Sequence, residues 1–176
     1  MLGRLPLVPA LDRPDLLAPP VLAALQAWQG RAEVAEIDAE LADTAAFCAA
    51  YDVGLDASAN CVVVAGKRGD DVRHAACVVL ATTRADVNGV VRKRLDARKA
   101  SFAPREQTVE TTGMEFGGIT PVGLPADWPV LVDAAVLEAP FVVVGSGLRR
   151  SKLVLVGAAL ADLPGVEVVE GLGQPG

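Results

Sequence analysis

The strongest constraint on the fold lies in the middle of the chain, where two runs of β-branched and small apolar residues flank a short polar turn. CVVVAG (61 to 66) and VRHAACVVLATT (72 to 83) are separated by KRGDD (67 to 71), which contains Gly69. Branching at Cβ stiffens the side chain and suits it to the pleated surface of a sheet, so a short glycine-containing turn between two such runs predicts an antiparallel hairpin. Further strands are expected at AEVAEID (32 to 38), at RKASFA (98 to 103) on a sheet edge, and at WPVLVDAAVL (128 to 137), PFVVVGSG (140 to 147), KLVLVG (152 to 157) and VEVVEG (166 to 171), with LADL as one helical turn between the last two. Helical patterns stand isolated among them. VLAALQAW (21 to 28) starts after Pro20 and has Gly30 beyond its end; TAAFCAAY (44 to 51) is capped by Asp43 or Thr44 and stops near Gly54. VNGVVRKRLD (87 to 96) follows Asp86 as its cap, and REQTVETT (105 to 112) lies between Pro104 and Gly113. Strands in pairs and triplets, without strict β-α-β alternation, predict one α+β domain: a mixed, largely antiparallel sheet flanked by helices. The proline-rich residues 1–19 are expected to form an irregular arm before a domain over residues 20–176.

Composition narrows the function classes. Of the 176 residues, 52% are apolar and 22% charged, enough to bury a core and to exclude a disordered polymer. Aromatics are only 4%, which argues against a broad base-stacking platform, and the net charge of −6 argues against a general polyanion or DNA binder. Cys48, Cys61 and Cys77 have no C-x-x-C spacing and read as buried hydrophobes in a reducing compartment. The single histidine, His74, leaves no basis for a metal site or a His-dependent triad and reads as a surface or structural residue; no cofactor is expected. Asp133 is either a buried, hydrogen-bonded acid or a solvent-facing one. With no apolar run of 18 residues and no signal-peptide pattern, a cytoplasmic protein with no membrane partner is expected.

Charge is unevenly placed. Residues 84 to 105 carry seven bases against two acids, a local +5 that leaves −11 elsewhere, and residues 33 to 56 hold seven acids and no base. Such segregation is either a solvated face or a directed attraction for one anionic partner.

The segment TTGMEFGGITPVGLP (111 to 125) departs from a routine core pattern: Gly113, Gly117, Gly118 and Gly123, with Pro121 and Pro125, stand directly before an apolar strand. Paired glycines let backbone N–H groups approach a ligand closely, which suits a phosphate or a developing oxyanion. A tight structural turn is the competing reading. The pattern lacks G-K-[ST], and GSGLRR (145 to 150) lacks the third glycine of a dinucleotide fingerprint.

These residues resemble a known family. Thr112-Gly113, then Gly117-Gly118-Ile119-Thr120-Pro121-Val122-Gly123, then the strand ending Val144-Gly145-Ser146-Gly147, in order after the CVVVAG hairpin, are similar to the YbaK and prolyl-tRNA-synthetase-associated editing domains over roughly residues 20 to 170. The resemblance implies an α+β deacylase that hydrolyses the ester of mischarged aminoacyl-tRNA, the tRNA 3′ end being its partner, with the substrate's ribose hydroxyl and a bound water supplying much of the reactivity. It implies that Gly117 and Gly118 present N–H groups to the aminoacyl carbonyl, that Thr112, Gly113, Ile119, Thr120 and Pro121 shape the loop and the amino-acid pocket, and that Gly145, Ser146 and Gly147 form the wall near the terminal adenosine. From charge, the basic 84 to 105 segment and Arg149-Arg150 are candidates for phosphate contacts. One departure stands out: family members carry a lysine at the start of the strand where this chain has Ala59, and alanine cannot replace an ammonium. Asn60 offers a neutral donor nearby, and Lys67 or Lys152 would have to reach in from elsewhere. The alternative to a deacylase is therefore a non-catalytic aminoacyl-tRNA or ligand-binding module of the same fold. The oligomeric state is open.

Overall fold

The computed structural model describes residues 2–28 and 31–176, so the expected helix terminator Gly30 lies outside the described residues. In chain order the strands are β1 (Val8–Pro9), β2 (Ala32–Glu36), β3 (Ala59–Arg68), β4 (Asp71–Leu80), β5 (Thr83–Ala85), β6 (Lys99–Phe102), β7 (Val130–Asp133), β8 (Val142–Gly145), β9 (Ser151–Leu155), β10 (Val166–Val169) and β11 (Gly173–Pro175). The helices are α1 (Pro19–Ala27), α2 (Thr44–Tyr51), α3 (Arg92–Arg94), α4 (Arg105–Thr112) and α5 (Ala134–Glu138).

The hairpin predicted from the valine-rich runs is the spine of the molecule. β3 and β4 pair antiparallel without interruption from Ala59↔Leu80 to Arg68↔Asp71. β6 adds to the free side of β3 as the edge strand, β7 lies parallel to β4, and β10 lies parallel to β7, giving the order β10-β7-β4-β3-β6. β2, β9 and β8, with the two-residue β1, form a second, antiparallel sheet in the order β1-β2-β9-β8, and β5 with β11 make a short ribbon. The expected α+β architecture is thus built from two sheets, which touch where Ser58 bridges Val143.

Burial on both faces explains why the strands read as continuous apolar runs rather than as alternating ones. On β4, Ala76 and Val78 face a core shared with Val34, Val144 and Leu153 of the second sheet and with Val21 of α1. The intervening Ala75, Cys77 and Val79 face a separate cluster with Val91, Leu95 and Leu172. A third cluster, with Phe47 of α2 wholly buried at its centre, covers the outer side of β8 and β9 through Val143 and Val154.

Local structure departs from expectation at three helices. The run 128 to 137 does not stay extended: β7 stops at Asp133, and Ala134–Glu138 turn helical. Ala, Leu and Glu are strong helix formers, and Asp133 takes the extended N-cap conformation in front of them. Asp133 is buried; desolvation raises its pKa, while the backbone amides of Gly173, Ala135 and Ala134 pull it back down. Of the two expected caps of α2, Asp43 takes the N-cap position without a side-chain hydrogen bond, the Thr44 hydroxyl turns to Asn60, and the helix stops near Gly54 as expected, on a left-handed Asp52. Asp86 does cap its helix, accepting from the N–H groups of Gly89 and Val90, but that helix is a π turn over Val87–Val91 followed by the single turn α3.

The first residues are tied into the body. Val8 and Pro9 pair with β2, two 3-10 turns follow, and Leu16, Leu17 and Ala18 are buried in the shared core. Among the described residues, no helix is long and apolar enough to cross a membrane.

Leu153 sits wholly buried on β9 between β2 and β8. Leu153→Ala is expected to lower the unfolding free energy by about 2 to 5 kcal/mol. Urea titration should show this as a fall in midpoint with little change in slope.

Candidate functional site

The glycine-rich segment is held against the end of β8 by backbone contacts. Gly113 ends α4 in the left-handed conformation, and the Thr112 hydroxyl donates to the Thr108 carbonyl (2.7 Å) while accepting from the Met114 N–H (3.2 Å). Beyond that turn the Glu115 N–H donates to the Gly147 carbonyl (2.8 Å), and the Gly147 N–H donates to the Gly118 carbonyl (2.7 Å). A Cβ on Gly145 would stand 2.4 Å from the Gly118 oxygen and 2.6 Å from the Ile119 oxygen; a Cβ on Gly118 would stand 2.7 Å from the Leu148 backbone. The two segments approach this closely only because both are glycine there.

Between this loop, the start of β3 and the end of β8 opens a cleft of about 850 Å³. Of the residues expected at the site, Gly117, Ile119, Gly145 and Asn60 line it. Their chemistry differs from the expectation in one respect. The Gly118 N–H turns back to the Glu115 carbonyl (2.9 Å), whereas the Gly117 N–H has no hydrogen-bond partner among the described residues. One backbone donor, rather than a pair, is therefore available. Asn60 accepts from the Thr44 hydroxyl at 2.6 Å through Oδ1, which leaves its amino group as a donor.

The other expected residues lie behind this surface. Ser146 is fully buried: its hydroxyl meets Ser151 Oγ at 2.7 Å and accepts from the Leu148 N–H, so it braces the wall from inside. Thr120 and Pro121 are buried, and the Thr120 hydroxyl finds no partner. Arg149 is engaged three times: its N–H donates to Glu115 Oε1 (2.9 Å), Nη1 to the Phe116 carbonyl (3.1 Å) and Nη2 to the Ala39 carbonyl (3.2 Å). It pins the loop instead of reaching for phosphate. Arg150 likewise donates to the Asp15 carbonyl. Of the basic residues in 84 to 105, Arg105 alone lines the cleft, and Arg94 is ion-paired with Glu167 at 3.4 Å.

Ala59 is buried in the cleft wall and supplies no charge, and Lys67 is exposed at the far end of β3. An ammonium does reach the cleft, from β9. Lys152 pairs with Gly145 in the β8–β9 register and is only 8% exposed. Its Nζ donates to the Ala42 carbonyl (3.1 Å) and lies 5.4 Å from the Phe47 ring centroid. No carboxylate is within ion-pair distance of it among the described residues. Burial pushes its pKa below the ordinary lysine value, and Arg149 adds to that, while Cys48 and Asp43 oppose it. Cys61 also lines the cleft, but desolvation pushes its thiol pKa up, so no reactive thiolate forms near neutral pH. His74 stacks on Trp128 (centroids 5.2 Å apart, 17° between planes), and neither ring lines the cleft.

Sequence reasoning missed Thr44, Phe102 and Phe116 as cleft residues, and placed Arg105 only within a general basic face. Phe116 directly precedes Gly117, so its adjacency to the motif was the available signal. The result is a pocket with three kinds of donor: the Gly117 amide, the Asn60 amino group and the Lys152 ammonium. These suit an oxygen on which negative charge develops.

Comparison with known proteins agrees with this architecture. The chain is similar to a proposed trans-editing enzyme for prolyl tRNA synthetase, at 23% identity and a TM-score of 0.75, with 90% of this chain and 97% of that one covered. It resembles equally a scaffold protein used for epitope backbone grafting (22% identity, TM-score 0.75, 90% and 97% covered). A hypothetical protein, APE2540, matches at 22% identity and a TM-score of 0.69 over 80% of this chain and 90% of that one. A family model for the aminoacyl-tRNA editing domain matches residues 38–163. That match takes in the hairpin, the glycine loop and the wall of β8 and β9 together, and the chain belongs to the aminoacyl-tRNA editing domain family.

Proposed function

We propose that the protein is a hydrolase that clears mischarged tRNA in trans, in the cytoplasm, by cleaving the ester between the amino acid and the tRNA 3′ end. The observation that carries this reading is the convergence of the free Gly117 N–H, the Asn60 amino group and the buried Lys152 ammonium on one cleft in an editing-domain chain. In the proposed reaction a water oxygen adds to the ester carbonyl, and the carbonyl oxygen takes up the electron pair as an oxyanion. Collapse of that intermediate breaks the bond to the ribose oxygen, which leaves as a free hydroxyl with one of the water's two protons, while the other passes to solvent as the amino acid departs as its carboxylate. Donors aimed at the oxyanion lower the barrier, each contributing on the order of 100- to 1,000-fold.

Lys152 is proposed as the group that takes over the role of the missing lysine. A buried ammonium with a single carbonyl partner keeps N–H groups for a substrate oxygen, and its field is little screened by water. A second reading, a binding module without chemistry, is favoured by Ala59 at the family lysine position.

A panel of mischarged tRNAs decides between them. Hydrolysis above the buffer rate is expected for at least one, and Lys152→Met should lower kcat about 100-fold. Restoring an ammonium from the other strand, as Ala59→Lys in the Lys152→Met background, should recover part of the loss. No turnover with any tRNA, together with binding of a non-hydrolysable aminoacyl-adenosine, would establish the second reading.

The buried ammonium also sets two pH dependences. The enzymatic rate, corrected for spontaneous hydrolysis, should fall as pH rises through the lowered pKa of Lys152, below the ordinary lysine value of about 10.4. Stability should move the opposite way. Above the folded-state pKa the unfolded chain binds more protons than the folded one, so wild-type stability relative to Lys152→Met should rise with pH up to about 10.4. Thermal melts of both proteins across that range measure it.

A further inference from the structure

The protein has four phenylalanines, and only Phe47 is buried. Phe102 is 63% exposed and Phe116 45% exposed, and both line the cleft. Neither sits on a loose segment. Phe102 ends β6, where it pairs with Val64 of β3, and the Phe116 carbonyl is held by Arg149, whose other guanidinium nitrogen is anchored on Ala39. Arg105 lies over Phe116 with Cζ 3.9 Å from the ring centroid, and it too lines the cleft.

What sets these two apart from the other exposed apolar residues is that both rings, each on anchored backbone, open on the same cleft as the donors. The guanidinium over Phe116 narrows what could cover them. Stacked planar groups and a fixed positive charge suit a flat ring attached to an anionic backbone.

We propose that Phe116 and Phe102, with Arg105, stack the unpaired terminal bases of a tRNA 3′ end, holding the ester over the donors of the cleft. This rests on the deacylase reading of the same cleft and adds the element that recognises the nucleic acid. Stacking of this kind is tolerant of base identity, because every base has a π face. It accommodates a single-stranded end common to many tRNAs and leaves discrimination to the amino-acid side.

The test uses the intact protein and an uncharged RNA hairpin whose single-stranded 3′ end terminates in 2-aminopurine, which loses fluorescence on stacking. Wild type is expected to quench the probe on titration, and Phe116→Leu or Phe102→Leu to weaken binding about tenfold each. Leucine keeps the apolar bulk at an exposed position, so loss in these variants reports the aromatic face rather than folding. An otherwise identical hairpin with abasic sites at its last two 3′ positions should bind wild type and the Phe102→Leu/Phe116→Leu double variant alike. With mischarged tRNA, the same variants should raise KM more than they lower kcat. Equal quenching by wild type and the Phe102→Leu/Phe116→Leu double variant would overturn the stacking proposal, as would hydrolysis by that variant at the wild-type KM, which leaves the deacylase reading intact. Aromatic-dependent quenching without hydrolysis of any mischarged tRNA would uphold stacking and overturn the deacylase reading instead.

Discussion

The contact on which the site depends is between two stretches of backbone. β8 ends at Gly145, and the loop carrying Gly118 and Ile119 lies so close that a single methyl group at Gly145 would overlap two carbonyl oxygens. Packing at this distance converts a surface loop into a wall, stitched further by the exchange between Glu115, Gly118 and Gly147. Its effect, with Arg149 holding the Phe116 carbonyl, is to set the path of residues 116 and 117 without using the Gly117 N–H. The Gly117 N–H is then free to face a ligand, and Phe116 is presented rather than tucked away. Bulk added at either glycine would move the donor and the ring together.

The charge in the cleft follows a different logic. A lysine at the Ala59 position would enter from the long hairpin; Lys152 enters from the second sheet, directly across from Gly145. The two sheets meet at the Ser58–Val143 bridge, so a side chain one residue beyond Ser58 and one on β9 open on the same space. Two sheets that touch along a seam offer two ways to put a cation there. Lys152 lies deep, against Phe47 and the Ala42 carbonyl, and its burial without an ion-pair partner among the described residues costs stability.

Much of this was legible from the residues. The valine-rich hairpin, the edge strand at 98 to 103, the Pro104 to Gly113 helix and the glycine loop all carry local signals strong enough to survive tertiary context. What escaped had physical reasons. Strands buried on both faces carry no period-two pattern, so nothing in the runs divides them between two sheets. AAVLE after an apolar strand fits a buried extension as well as a short helix, until Asp133 is seen at the N-cap. In the site, a glycine signals close approach but not which N–H stays unpaired, which is why both Gly117 and Gly118 are expected as donors and only Gly117 keeps a free N–H among the described residues. Ser146 and Arg149 look like ligand contacts in one dimension, and only their partners reveal them as braces.

The opening segment gains meaning from the same contact. The Leu16 carbonyl accepts from Ser151 Oγ at 2.6 Å, the Ala18 N–H donates to the Ser146 carbonyl, and the Ala18 side chain occupies the space where a Cβ on Gly147 would go. Pro20 presses in the same way on Gly123. Residues 16 to 20 precede the stretch that the family model matches, yet they shore up the back of the loop that forms the cleft. A segment outside the stretch matched by the family model therefore stiffens the loop from behind, so the shape of the cleft depends on residues that do not line it.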